Sequence, residues 1–190
     1  MALGVQPLVN LVQYHNYWID DGSGGRKQNP AFDANCRMLL DLKNETERNH
    51  ARAVAHYCPQ VEQFLRARGV PPTGLQVYIV VVPSSKAGQW GAGLEKIAGY
   101  LVRRNANFVS ATRALERHTT IQKLARGGNR NPLVHLESIG LGKGSQGLPR
   151  KTVLLLDDIA TTGNSLTACG QILSQIGVEN VIPLAIGRTV

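Results

Sequence analysis

The chain has 190 residues, 43% of them apolar and 18% charged, a composition that suits one compact domain and excludes wholesale disorder. No apolar run approaches the roughly 20 residues a membrane helix needs, and the start, MALGVQPLVN, has no basic segment leading into an apolar one. A soluble, cytoplasmic protein with no membrane partner is expected. Lysine and arginine total 21 against 13 acidic residues, a net charge of +8, which points to an anionic partner.

In chain order, residues 9–19 are rich in Val, Tyr and Trp with some alternation and read as a strand, ended by the turn residues 20–25. Residues 39–44 read as a strand or turn near the sheet. Residues 46–57 have a helical pattern, Pro59 interrupts it, and Val61, Phe64 and Leu65 continue a helical face as far as Gly69. Pro71, Pro72 and Gly74 then stop the chain, and residues 75–82 form an apolar, β-branched run without polar alternation, the pattern of a strand buried on both faces of a parallel sheet. A helix over about 94–104, a short strand near 107–111 and a strand at 135–141 follow. Strands at 152–156 and 181–186 flank a helix over about 166–176 that stops at Gly177, which makes a βαβ unit. The fold class expected is therefore α/β, a doubly wound and mainly parallel sheet over residues 71–190, with residues 1–70 as a small N-terminal cap of strand or turn plus helices. Residues 142–147 read as a surface turn, and the sequence contains no internal repeat.

The charge is uneven. Between positions 103 and 130 the chain carries Arg103, Arg104, Arg113, Arg117, Lys123, Arg126 and Arg130 against Glu116 alone, a net +6 of the total +8. Both nucleic acid and a polyphosphate substrate offer arginine the dense negative charge and paired oxygens such a segment suits. Cys36, Cys58 and Cys169 are far apart, with no CxxC, so buried free thiols are expected rather than a disulfide framework or a zinc site. His15, His50, His56, His118 and His135 show no metal-ligand spacing, and no protein-held metal site is expected.

The most informative stretch is VLLLDDIATTGNS, residues 153–165. A buried strand ends in Asp157 and Asp158, then in a loop of small hydroxyl residues and glycine that opens a helix. Ligands of open α/β sheets lie beyond the carboxyl ends of the strands, where a helix N-terminus favours an anion. Thr161, Thr162, Gly163, Asn164 and Ser165 thus have the makings of a phosphate cradle. Gly163 permits close approach of the backbone, and the hydroxyls add donors. Two carboxylates suit vicinal hydroxyls, and a phosphate plus a diol is a ribose 5-phosphate. A P-loop is the rival phosphate site, but in Gly142-Lys143-Gly144-Ser145 a glycine follows the lysine where Ser or Thr is required, and Glu137 stands where the leading glycine belongs.

The stretch resembles the ligand loop of type I phosphoribosyltransferases, which bind 5-phosphoribosyl-1-pyrophosphate, with the pattern matched across all thirteen positions. The resemblance implies a pyrophosphate loop after the first buried strand, where Ser84, Ser85 and Lys86 stand, and a mobile hood between the middle strands, over residues 113–130. That segment is similar to the competence-protein (ComF-like) branch of the family in Arg117, Thr119, Gln122 and Arg130, with departures at Leu124, one place early, and at Leu133, where Asn is expected. The cysteine-rich zinc module that many ComF-like proteins carry is absent. Also implied is displacement of pyrophosphate from C1 of the sugar by a nitrogen nucleophile. Catalysis would fall to Asp157, Asp158, Lys86 and Arg117, with Arg126 and Arg130 on the leaving group and magnesium held mainly by substrate oxygens. The acceptor is not legible. Two alternatives follow from the charge and the resemblance: a nucleic-acid-associated module of a DNA-uptake or retron-like defence system, contacting phosphates through residues 103–130, or a non-catalytic sensor of the activated sugar. A homo-oligomer or a protein partner is compatible with either.

Overall fold

The computed structural model describes residues 4–121 and 133–190. In chain order its elements are β1 (Gly4–Val5), β2 (Val9–Tyr14), β3 (Trp18–Asp20), β4 (Arg26–Gln28), α1 (Ala34–Lys43), α2 (His50–Ala67), β5 (Val77–Val81), α3 (Ala92–Arg104), β6 (Phe108–Ser110), β7 (Leu115–Arg117), α4 (Leu133–Ser138), β8 (Ile139–Leu141), β9 (Thr152–Ala160), α5 (Asn164–Gln175) and β10 (Asn180–Thr189). The strands β10, β9, β5 and β6 lie side by side in that order, all parallel, and β1 and β2 follow one another along the free edge of β10. The sheet thus has five positions, and residues 4–14 of the segment expected as a cap belong to it. Two antiparallel pairs, β3–β4 and β7–β8, stand outside it.

Both faces of the sheet are covered, as apolar strands without polar alternation require. One core joins Leu154, Leu156, Ile79 and Leu184 to α1, α2 and α3. The other joins Val153, Leu155, Val80 and Val181 to α5 and to Leu115, Ile139 and Leu148. This is an α/β sheet with helices on both sides, compatible with a doubly wound fold. Among the described residues no helix is long and apolar enough to cross a membrane.

Four local expectations are corrected. Residues 39–43 are the end of helix α1, because Asp33 caps its N-terminus by accepting from the Cys36 amide at 2.8 Å and Cys36, Leu39 and Leu42 then recur on one buried helical face. Pro59 does not interrupt α2. Ala53, Tyr57, Val61 and Leu65 carry a continuous buried stripe past it, and the proline with its partner carbonyl residue Ala55 lies on the solvent side. Residues 133–138 are helix rather than strand, with Ser138 donating to the Val134 carbonyl one turn back at 2.6 Å, so only β8 remains of the strand expected over 135–141. Finally, β9 runs on to Ala160, since its neighbour β10 continues alongside it as far as Arg188.

Candidate functional site

The chain crosses over from β5 through α3 to β6 in one direction, and from β9 through α5 to β10 in the other, with α3 and α5 on opposite faces. Adjacent parallel strands whose connections diverge leave a crevice at their carboxyl ends, which is where ligands of such sheets bind. The loop after β5 and the loop after β9 face each other across it.

The second loop turns at Gly163, whose φ of +77° places it in the left-handed region. A Cβ there would meet only Leu8 Cδ2, at 3.6 Å, so it is conformation rather than space that calls for glycine. The Thr162 hydroxyl accepts from the Asn164 amide at 3.4 Å, and the Thr161 hydroxyl meets that of Thr189 at 3.2 Å. Ser165 Oγ lies 3.2 Å from His135 Nδ1. No acidic side chain occupies the first turn of α5, so the positive end of the helix is not neutralised from within. The five residues expected to form the cradle are thus contiguous at the mouth of the crevice, with Thr161 and Thr162 exposed.

The two carboxylates are not delivered to one face. Because β9 extends through both, successive side chains leave opposite sides of the sheet. Asp158 turns toward α1, where Lys43 Nζ approaches its Oδ1 at 2.7 Å, and the same oxygen accepts the Ile159 amide at 2.6 Å. Asp157 lies on the α5 side, within electrostatic reach of Arg117 and Cys169, and its Oδ1 accepts the Asp158 amide at 2.9 Å. Burial pushes the Asp157 carboxyl well above the usual carboxylate range, and the Asp158 charge beside it adds to the rise. Burial works against the charge on Lys43, but the Asp158 carboxylate outweighs it, so the ammonium is held above its ordinary value.

In the first loop, Ser84 Oγ accepts the Lys86 amide at 3.2 Å and the Ser84 amide donates to the Gln89 carbonyl at 2.9 Å. Gly88 turns with φ +64° and donates to the Arg117 carbonyl at 2.9 Å, while Ile121 donates to the Ser85 carbonyl at 2.9 Å. The loop is a preformed turn pinned to residues 117–121, and the Lys86 side chain is exposed on it.

Arg117 is 1% exposed and does not stand in an open hood. Its Nε donates to the Ser84 carbonyl at 2.6 Å, one terminal nitrogen donates to Ser138 Oγ, and the other lies 3.4 Å from His135 Nδ1. Burial lowers the Arg117 pKa, and burial together with that guanidinium lowers that of His135. Arg126 and Arg130, with Gln122, Lys123 and Leu124, lie outside the described residues. The rest of the basic segment is divided. Arg103 and Arg104 end α3 at the amino edge of the sheet, where the neighbouring Asn107 carbonyl accepts from the first residue of β5, and Arg104 pairs with Glu62 at 3.5 Å. Arg113 follows β6 at the opposite edge, pairs with Glu95 at 2.9 Å and sits over the Trp90 ring.

Lys43 and His135 are the site residues that sequence reasoning missed. Lys43 is 115 positions from its partner, and a lysine ending a helix carries no mark of that pairing. Among the described residues no group of three or more His, Cys, Asp or Glu could hold a metal ion. Asp157 and Asp158 alone would leave most positions of a hard divalent cation to other oxygens.

Against known proteins, no family model matches the sequence and no curated protein shows significant similarity to it.

Proposed function

We propose that the crevice binds 5-phosphoribosyl-1-pyrophosphate and that the protein transfers the phosphoribosyl group to a nitrogen nucleophile with release of pyrophosphate. The observation that carries this reading is the run from the carboxylates in the last residues of β9 before the turn, through the left-handed Gly163, into α5, set across the crevice from the turn at Ser84, Ser85 and Lys86. Thr161, Thr162, Gly163, Asn164 and Ser165 would hold the 5-phosphate, Asp157 on the α5 side of β9 would address the ribose hydroxyls with Asp158 held by Lys43 on the other face, and Lys86 with the two serines would meet the diphosphate.

Electrostatics supports it further. Two ionised carboxylates beside a polyanion would repel it, but Lys43 neutralises one and burial favours the protonated form of the other. Magnesium, when bound with the sugar diphosphate, would neutralise the leaving pyrophosphate; Asp157 and Asp158 are the residues that could touch it, with substrate oxygens completing its shell. What the chain itself supplies is a preformed turn, a helix terminus and cations. It therefore acts by positioning and charge on a transition state with oxocarbenium character.

The test is to incubate the protein with 5-phosphoribosyl-1-pyrophosphate, magnesium and a panel of nitrogen acceptors, and to measure pyrophosphate. Release that depends on one acceptor is expected. Binding without release from any acceptor would replace transfer by sensing, and absence of binding would end the reading. The net charge of +8 favours a nucleic-acid partner as the second reading. Affinity for DNA or RNA that falls steeply with salt, with no affinity for the sugar, would favour it instead.

A further inference from the structure

Between the two loops of the crevice lies a buried polar chain that the proposed chemistry does not use. Arg117, on β7, donates to the Ser84 carbonyl of the first loop at 2.6 Å, and on its other side lies 3.4 Å from His135 Nδ1, on α4. His135 is 8% exposed, and the same Nδ1 is 3.2 Å from Ser165 Oγ in the second loop. Ser138 receives the remaining arm of the guanidinium and passes its own hydrogen back to the Val134 carbonyl, which fixes α4 against Arg117.

The donor inventory settles the direction of these bonds. A guanidinium has donors and no acceptor, so a nitrogen facing it must offer a lone pair. His135 is then neutral with its proton on Nε2, and Nδ1 is an acceptor. Ser165 must in turn donate to that nitrogen. Two donors therefore share one lone pair, and Nδ1 stays satisfied by Arg117 if the serine hydroxyl rotates away.

We infer that Arg117 and His135 are positioning residues: they tie the Ser84 turn to Ser165 across the crevice, and hold the Ser165 hydroxyl as a donor that can pass from His135 to a bound phosphate. The role in ligand binding rests on the function proposed above; the tie itself does not. Spacing between the two loops is what a ligand with a phosphate at one end and a diphosphate at the other would read.

Two measurements test it. In the unliganded wild-type protein, nitrogen-15 NMR of the histidine rings should show His135 neutral at pH 7 with its proton on Nε2; a proton on Nδ1, or a charged ring, would overturn the tie whatever the ligand is. Calorimetry with 5-phosphoribosyl-1-pyrophosphate should then separate two substitutions. His135→Asn keeps an acceptor oxygen where Nδ1 lies and should bind within about twofold of wild type. His135→Leu cuts the tie between Arg117 and the Ser165 loop and should bind about tenfold more weakly, because the spacing the ligand reads must then be fixed on binding. Equal affinities for a folded His135→Leu and wild type would overturn the positioning role. If wild type fails to bind the sugar, both the proposed function and that role fail, while the ring tautomer still decides the tie.

Discussion

Asp157 and Asp158 are adjacent in sequence and unlike in environment. Asp158 shares an oxygen between Lys43 and a backbone amide, whereas Asp157 is raised by burial and by its neighbour's charge. For Asp157 the folded value lies above the unfolded one, so between the two the native state holds more protons and stability falls as pH rises through that window. Asp157→Asn removes this cost while keeping an acceptor for the Asp158 amide. The gain in melting temperature over wild type should be smallest below the ordinary carboxylate range and grow to a plateau above the folded value, in thermal scans across pH. A gain independent of pH would contradict the account. Lys43→Met should destabilise by only about 1 kcal/mol, because the lysine side chain is 44% exposed and its pairing is screened. In an Asp158→Asn background the same substitution should cost less, and equal costs in the two backgrounds would show that the pair is not coupled. The acids themselves were legible as a pair after an apolar run, but their divergence was not. It follows from how far β10 continues beside them, which a local pattern cannot report.

Among the elements, those with an unambiguous period were legible: β5, α3, α5 and β10 lie where the apolar runs and glycine stops put them. The misread ones are those whose buried face mixes residue types. Helix α1 interleaves Asp41 with Leu39 and Leu42, α4 buries His135 and Ser138, and α2 keeps its stripe through a proline that local chemistry would reject. Packing decides all three. The placement of α1, and with it Lys43, depends on a close approach at Gly93 in the first turn of α3. A Cβ built there would lie 2.4 Å from the Leu42 carbonyl oxygen and 2.7 Å from Leu42 Cδ1. Backbone cannot yield as a side-chain tip does, so Gly93→Ala should cost about 1–3 kcal/mol in denaturant unfolding, despite alanine's better helix propensity. A stabilised Gly93→Ala protein would show that α1 is not held against α3 as described.

At the scale of the molecule, the alternation of strands and helices was enough to predict a parallel sheet with a crevice at its carboxyl edge. The order β10-β9-β5-β6, and the recruitment of residues 4–14 to the outer edge of β10, depend on long-range pairing and were not legible. The basic excess likewise looked continuous in sequence, yet the fold sends Arg103 and Arg104 to the edge opposite the crevice. Arg103→Gln with Arg104→Gln should therefore leave affinity for 5-phosphoribosyl-1-pyrophosphate within about twofold of wild type, since screening suppresses exposed charges beyond roughly 10 Å. A tenfold loss in calorimetry would contradict that separation. The most direct test of the central claim is a calorimetric titration of wild type and of Asp157→Asn with Asp158→Asn against the same ligand in magnesium. Saturable binding by wild type and none by the double variant is the predicted result, and equal affinities for the two proteins would contradict it.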